Sequence, residues 1–164
     1  MDQPIYSLWL KPEGEIYDHL SRVIKILSKE YNSPVFEPHI TLLKGLKIKE
    51  DTIEAKLKHL EFSPFEVQLS DIGFEDNLFQ SFFLHSASDE IYKLYDQCEQ
   101  IFHKSESYVP HLSLMYHEMP VKEKKALADK IDHFKGLKFM ARNISIVSTA
   151  GRPDQWKESK VIPL

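Results

Sequence analysis

The chain has 164 residues, of which 42% are hydrophobic and 28% charged, and this composition is typical of one ordinary globular domain. Its formal net charge of -4 at pH 7 disfavours a grip on long nucleic acid, although it does not exclude a local basic patch. The single cysteine, Cys98, excludes an internal disulfide and a multi-cysteine metal site. We expect no membrane span, since no apolar run approaches about 20 residues. The acidic N-terminus differs from a signal peptide, so the expected location is the cytoplasm.

Apolar residues recur with helical or strand periodicity along the chain. The predicted helices cover residues 15–31, 51–60, 88–102 and 120–134. The predicted strands, apart from two segments described next, cover residues 5–10, 65–70, 78–85, 137–149 and 161–164. Lys44-Gly45 and Asp76-Asn77 have the composition of turns, and the second turn predicts a hairpin between its neighbouring strands.

Two eight-residue segments, residues 36–43 and 108–115, share one pattern and are called the octads. Each consists of an aromatic residue, any residue, proline, histidine, an aliphatic residue, a hydroxyl residue, leucine and an apolar residue. On an extended strand the histidine and the hydroxyl residue, two positions apart, point to the same face. The apolar residues between and after them point to the other face. Each octad therefore offers an imidazole and a hydroxyl on one side of a strand whose other side is buried.

The chain is predicted to contain a duplicated unit, because each octad follows a strand and a helix. Trp9 precedes the first octad histidine by 30 residues and His85 precedes the second by 26, so we expect these two at equivalent positions. Two such units most simply form two sheet-and-helix lobes that are related by a pseudo-two-fold axis, which would bring the octads face to face across a cleft. We predict a single bilobal domain, 1–164, with pseudo-repeat lobes of approximately 1–76 and 77–164 that are free to exchange strands.

Paired imidazoles that face each other across a cleft can serve as general base and general acid at once, because their ordinary pKa is about 6.5. A phosphodiester needs that pair, one group to activate water and the other to protonate the leaving oxygen. The candidates are His39 and His111, and the hydroxyls of Thr41 and Ser113 would hold the phosphate oxygens. A single octad would be typical of a strand with a structural histidine, whereas two in equivalent positions favour a site. No helix carries the His-x-x-x-His spacing of a zinc site, so we expect no metal and no cofactor.

At these residues the chain resembles the two-histidine (2H) phosphoesterase superfamily, which is defined by two His-x-[Thr/Ser]-x motifs. They stand here as His39-Ile40-Thr41-Leu42 and His111-Leu112-Ser113-Leu114. Within the superfamily the chain is similar to the cyclic phosphodiesterase family known from plants and fungi. The segments that carry this similarity, besides the octads, are Tyr6-Ser7-Leu8-Trp9, Phe79-Gln80, Tyr116 and Trp156.

The resemblance implies that the fold class is α+β, a bilobal molecule with two pseudo-symmetric antiparallel sheets, helices on the outside and a water-filled central cleft. It also implies the hydrolysis of a cyclic phosphate to a phosphomonoester. The substrate would be ADP-ribose 1″,2″-cyclic phosphate or a nucleoside 2′,3′-cyclic phosphate. The resemblance implies that His39 and His111 are the acid–base pair and that Thr41, Ser113 and Tyr116 bind the substrate phosphate. Which histidine is the base stays open, because the pair titrates as a coupled unit.

Three aromatic residues, Trp9, Phe79 and Trp156, are candidates for stacking on a base or adenine, or alternatively for packing in the core. The chain departs from some members of the resembled family in having no second cysteine, so Cys98 cannot form a regulatory intramolecular disulfide. Its short loops leave the physiological substrate open, because loops and not octads select the substrate.

Two further functions stay open. One is an RNA-processing enzyme of the same superfamily, acting on 2′,3′-cyclic RNA ends or as a 2′,5′-ligase-like enzyme. The other is a non-catalytic nucleotide-binding module, which would not need both histidines and both hydroxyls. The expected partner is a small cyclic nucleotide or ADP-ribose-type substrate, with no long nucleic acid and no membrane, and we expect a monomer.

Overall fold

The computed structural model describes residues 3–75, 81–131 and 134–164. Within those ranges the chain forms helices and strands that alternate in both halves of the sequence. The helices are α1 (Glu15–Tyr31), α2 (Glu50–Leu57), α3 (Asp89–Phe102) and α4 (Val121–Lys130), with a short 3-10 turn at Pro153–Gln155. The strands are β1 (Tyr6–Leu10), β2 (Ile40–Leu46), β3 (Phe65–Gly73), β4 (Phe82–Ser86), β5 (His111–Met115), β6 (Lys138–Ala141), β7 (Asn143–Ser148) and β8 (Lys157–Pro163).

The strands form one eight-stranded antiparallel sheet in the order β6-β3-β4-β5-β2-β1-β7-β8. This arrangement confirms the predicted α+β class. The two predicted sheets are the two four-stranded halves of this sheet, and they meet where β2 and β5 share the single pair Ile40–Leu112. We call this junction the seam. The octads thus lie side by side at the centre of the sheet.

The sheet halves draw strands from both halves of the sequence. β3 lies beside β4, whereas β7 and β8 lie beside β1. The division of one bilobal domain near residues 76 and 77 stays a prediction, with strand exchange as part of it.

The helices cover the sheet through amphipathic faces. Leu20, Ile24 and Leu27 of α1 are buried at helical spacing, as are Ile91 and Cys98 of α3. α1 follows β1 in the chain but packs against β5 in the other sheet half, and α3 follows β4 but packs against β2 in the other half. Each long helix therefore covers the octad strand of the half opposite to its preceding strand. Among the described helices, none has the length and apolar character needed to cross a membrane.

Some predicted boundaries were wrong. The sequence predicts a turn at Lys44-Gly45, but β2 continues through both residues. The strand accommodates Gly45 with a positive φ of 68°. α4 ends at Lys130 and not at 134. β8 begins at Lys157, well before the predicted start at 161, because a polar edge strand lacks the apolar run that would reveal it.

The predicted strand 137–149 is divided into β6 and β7 at Arg142. β6 pairs with β3 and β7 pairs with β1, so one stretch of sequence contributes to both sheet halves. The predicted turn Asp76-Asn77 and the beginning of the predicted strand 78–85 lie outside the described residues.

Candidate active site

The seam brings the polar face of both octads together. Extending the Ile40–Leu112 pair by one residue in each direction sets His39 opposite Ser113 and Thr41 opposite His111. These four side chains line one cavity of about 710 Å³. The opposite face of each octad strand is buried, which fixes the register because a slip by one residue would expose it.

Both histidines make the same local hydrogen bond. The Nδ1 atom of His39 lies 2.7 Å from the Glu37 carbonyl oxygen, and the Nδ1 atom of His111 lies 2.8 Å from the Val109 carbonyl oxygen. A carbonyl oxygen only accepts, so each Nδ1 carries the proton and donates it. In the neutral imidazole the free lone pair is therefore on Nε2, the nitrogen that a base needs.

Burial keeps both imidazoles neutral in the free protein. His39 is only 4% exposed, and burial lowers its pKa to about 4 against the opposing effect of the Glu37 hydrogen bond. Burial also lowers the pKa of His111, and the nearby charges of His85 and Lys44 act in the same direction. A charge on His111 further lowers the pKa of His39, as expected for two cations that share a cavity.

Each histidine packs against an aromatic ring of the neighbouring strand. The rings of Trp9 and His39 are stacked, with centroids 3.5 Å apart and planes 9° apart. The rings of Phe83 and His111 are tilted, with centroids 4.9 Å apart. Trp9 pairs with Thr41 in the sheet and Phe83 pairs with Ser113, so Phe83 is the counterpart of Trp9.

The predicted equivalence of Trp9 and His85 was therefore wrong. His85 lies directly opposite His111 on β4, two residues beyond the position that corresponds to Trp9. Sequence spacing could not show this, because the connections to the two octads differ in length.

The two octad strands carry the same irregularity. The register between β1 and β2 shifts by one residue between Trp9–Thr41 and Leu8–Leu43, and the register between β4 and β5 shifts at the same place in the second octad. A bulge of one residue turns the following side chains to the other face. Lys44 and Tyr116, each three residues after the octad hydroxyl, consequently both line the cavity.

Tyr116 is buried, with 5% exposure, and burial raises its pKa to about 12. Its hydroxyl is hydrogen-bonded to the Ser113 side chain, and its ring stacks on Phe36 with centroids 4.2 Å apart. The structure thus places a neutral phenol beside one of the two octad hydroxyls.

Of the three candidate stacking residues, Trp9 and Trp156 line the cavity. Trp156 meets Trp9 and Tyr116 edge-on, with centroids 5.8 and 5.9 Å apart. The third candidate, Phe79, lies outside the described residues. Stacking on a substrate base stays a prediction for all three.

A partly buried polar cluster holds the segment before the first histidine. The Glu37 carboxylate accepts hydrogen bonds from the Tyr17 hydroxyl at 2.7 Å and from the Lys11 ammonium at 3.0 Å. These bonds lower the pKa of Glu37 although burial opposes them. Because the Glu37 carbonyl oxygen accepts the hydrogen bond from Nδ1 of His39, the cluster holds the imidazole in place indirectly. Sequence analysis missed these residues, since their contact depends on the tertiary fold.

In the described part of the chain, no three His, Cys, Asp or Glu side chains are grouped so that they could hold a metal ion. The polar groups that line the cavity include the two octad imidazoles, the two octad hydroxyls, the Tyr116 phenol and the ammonium groups of Lys44 and Lys104.

An antiparallel sheet whose halves meet between two His-x-hydroxyl segments agrees with the fold that the resemblance to the 2H phosphoesterases implies. The model of the family described as cyclic phosphodiesterase-like protein matches residues 5–161, and the chain belongs to this family. This membership confirms the resemblance seen in the octads and classifies the chain among phosphodiesterase enzymes.

Known proteins support the same classification. The chain is 27% identical over 157 residues to a cyclic phosphodiesterase of Arabidopsis thaliana, covering 88% of this chain and 85% of the relative. The crystal structure of TT0787 of Thermus thermophilus has a TM-score of 0.69 at 16% identity and covers 98% of this chain and 97% of its own. The crystal structure of E. coli LigT complexed with 3′-AMP has a TM-score of 0.70 at 9% identity and covers 99% of both chains. The two structures show a shared fold.

Proposed function

We propose that the chain hydrolyses a cyclic phosphodiester of a small nucleotide or ADP-ribose derivative to a phosphomonoester. The substrates would be ADP-ribose 1″,2″-cyclic phosphate or a nucleoside 2′,3′-cyclic phosphate. The observation that carries this proposal is the pair of imidazoles at the seam, each with its Nδ1 bonded to a backbone carbonyl and its Nε2 free for proton transfer. The Arabidopsis relative that bears the name cyclic phosphodiesterase supports the same activity.

The chemistry follows from the two imidazoles and the hydroxyls between them. A water oxygen attacks phosphorus, and its proton passes to the Nε2 atom of the neutral histidine. The bond between phosphorus and one ring oxygen breaks, and the protonated histidine gives its proton to that oxygen. The ring opens, and the product is a phosphomonoester beside a free hydroxyl. The two histidines leave the reaction with their protonation states exchanged, and proton exchange with water restores them.

Thr41 and Ser113 are suited to hold the non-bridging phosphate oxygens. Each hydroxyl lies opposite the histidine of the other octad, so a phosphate between the imidazoles has a donor on either side. Donors that are already in place stabilise the charge that develops at phosphorus without reorganising. Tyr116, hydrogen-bonded to Ser113, orients that hydroxyl and offers a further donor.

The test uses purified protein, a chelator and a panel of cyclic phosphates, with product analysis. We expect wild-type turnover, and a loss of kcat of at least about 100-fold in His39→Ala and in His111→Ala, because each proton transfer is worth about 10²- to 10⁴-fold. His59→Ala is the matched control, since His59 is exposed in the turn after α2 and should leave the rate unchanged. Wild-type rates in either octad variant would refute the acid–base pair. Tight binding of a cyclic phosphate without product would instead indicate a non-catalytic nucleotide-binding module.

A further inference from the structure

Lys44, which the sequence predicts to lie in a turn, lines the cavity. It follows the first octad as Tyr116 follows the second, and the bulges in β2 and β5 turn both side chains toward the cavity. The pseudo-symmetric site is therefore unequal at its two ends. One end presents the phenol of Tyr116, and the other end presents the ammonium group of Lys44.

A second ammonium group lies beside the first. Lys104, just after the end of α3, also lines the cavity. Its Nζ atom lies 3.2 Å from the point where a Cβ atom of residue 45 would stand, so the glycine at this position makes room for it. The glycine also adopts a φ of 68°, which other residues rarely do. Gly45 thus lets Lys104 approach the backbone next to Lys44.

The charge at this end of the cavity is only partly balanced. Lys104 forms an ion pair with Glu106 at 3.4 Å, and both side chains remain partly exposed. Among the described residues, no carboxylate lies within ion-pair distance of Lys44. Two ammonium groups therefore face one carboxylate in a protein whose net charge is -4. This is the kind of local basic patch that recognises phosphate.

The patch is displaced along β2 from Thr41, the hydroxyl proposed to hold the reacting phosphate. Three residues of extended strand place the Lys44 backbone about 10 Å beyond Thr41. We propose that Lys44 and Lys104 form an anion subsite that binds a second phosphate of the substrate, next to the cyclic phosphate that reacts. This inference rests on the proposed function, and it narrows the substrate class to cyclic phosphates that carry another phosphate group.

Two substrate chemistries contain such a second phosphate. It is the diphosphate bridge in ADP-ribose 1″,2″-cyclic phosphate, and it is the preceding phosphodiester in an oligonucleotide with a 2′,3′-cyclic end. Adenosine 2′,3′-cyclic phosphate has only the reacting phosphate. The three compounds therefore separate the subsite from the reaction centre.

The test compares kcat/KM of the wild type, Lys44→Met, Lys104→Met and the double variant on these three compounds at low ionic strength. Each charged hydrogen bond that is lost should reduce kcat/KM about tenfold on the two-phosphate substrates, mainly through a higher KM. The one-phosphate compound should lose less than about threefold, since its reacting phosphate does not touch the subsite. The substrate with the larger loss identifies the source of the second phosphate. Lys47→Met is the control, because Lys47 is exposed, close in sequence and absent from the cavity lining.

Equal losses on all three compounds would overturn the inference and assign Lys44 to the reacting phosphate. Unchanged kinetics in the double variant would overturn it as well. If the wild type hydrolyses none of the compounds, the proposed function fails, and equilibrium binding of ADP decides the subsite separately. Binding about tenfold weaker in Lys44→Met than in Lys47→Met would then support the subsite, and equal binding would refute it.

Discussion

The protonation state of the two octad histidines is set by burial. Water is excluded from His39 by the stacked Trp9 ring, and an imidazolium there would lose hydration that the protein does not replace. The backbone carbonyl that accepts the Nδ1 proton offsets only part of this penalty. The proposed reaction needs one neutral and one protonated imidazole, so the free protein at neutral pH holds one proton too few. A bound phosphate anion supplies the negative charge that favours the missing proton.

This reasoning predicts an acid-shifted pH profile. The pKa of His39 is lowered to about 4 and that of His111 is lowered from 6.5, so kcat/KM, which reports the free enzyme, should be largest between these values. Above the upper pKa, the singly protonated form is lost and kcat/KM should fall about tenfold per pH unit. The alkaline limb of kcat should lie at higher pH, because the bound anion raises the pKa of the pair.

Steady-state rates measured across that pH range on one cyclic phosphate check the prediction. Variation of the buffer at constant ionic strength controls for screening of the charges. An alkaline limb of kcat/KM that begins above the ordinary histidine pKa of about 6.5 would contradict it.

At the level of secondary-structure elements, the paired bulges decide which residues face the cavity. Without them, Lys44 and Tyr116 would lie on the opposite face from Thr41 and Ser113, because side chains alternate along a strand. With them, three residues of each octad strand contribute to one site. The bulge is invisible in the sequence, because it depends on how the octad strand pairs with β1 or β4.

This difference explains what sequence reasoning found and what it missed. His39, Thr41, His111 and Ser113 are identifiable from a local string that recurs, and the structure places all four at one cavity. The position of Lys44 in a strand and the role of Phe83 are not, because each depends on the neighbouring strand. Helix α1 was predicted correctly, since its apolar period is local information.

Gly73, at the end of β3, leaves the space that His85 and Phe83 occupy beside the second octad histidine. A Cβ atom there would lie 2.5 Å from Nε2 of His85 and 2.6 Å from Cε2 of Phe83, the ring that packs on His111. Gly73→Ala should therefore lower the free energy of unfolding by about 1–3 kcal/mol through overpacking. It should also reduce kcat, because a displaced Phe83 ring would shift His111. Urea denaturation should show a lower midpoint with an unchanged m-value.

A double-mutant cycle with Phe83→Leu provides the control for Gly73→Ala. The smaller side chain makes room for the added methyl group, so the double variant should lose less than the sum of the single losses. Additive losses would show that the two positions do not compete for the same space, which would contradict the packing argument.

On the scale of the whole molecule, the site depends on the seam between the two sheet halves. The ladder there contains one residue pair, Ile40–Leu112, so other contacts must keep the octads together. The ring of Phe36 from the first octad stacks on Tyr116 after the second. The hydroxyl of Tyr108 from the second octad donates to the carbonyl oxygen of Thr41 in the first, at 2.9 Å. The first residue of each octad, an aromatic one, therefore contacts the other octad or the residue directly after it.

Tyr108→Phe tests this contribution with the smallest change. Burial raises the pKa of the Tyr108 hydroxyl, so it stays a neutral donor to the Thr41 carbonyl at every pH of interest. Its removal should lower the free energy of unfolding by about 1 kcal/mol, while the ring keeps its stack on Tyr95. The seam should also hold Thr41 less firmly, so KM for a cyclic phosphate should rise.

Tyr92→Phe is the matched control, because Tyr92 is 44% exposed and its ring meets Tyr108 edge-on without reaching the seam. Its effect on the free energy of unfolding should stay within about 0.5 kcal/mol, the usual range for surface substitutions. Urea denaturation and steady-state kinetics on both variants give the comparison. A Tyr108→Phe protein as stable and as active as the Tyr92→Phe protein would show that the hydroxyl bond does not stabilise the seam.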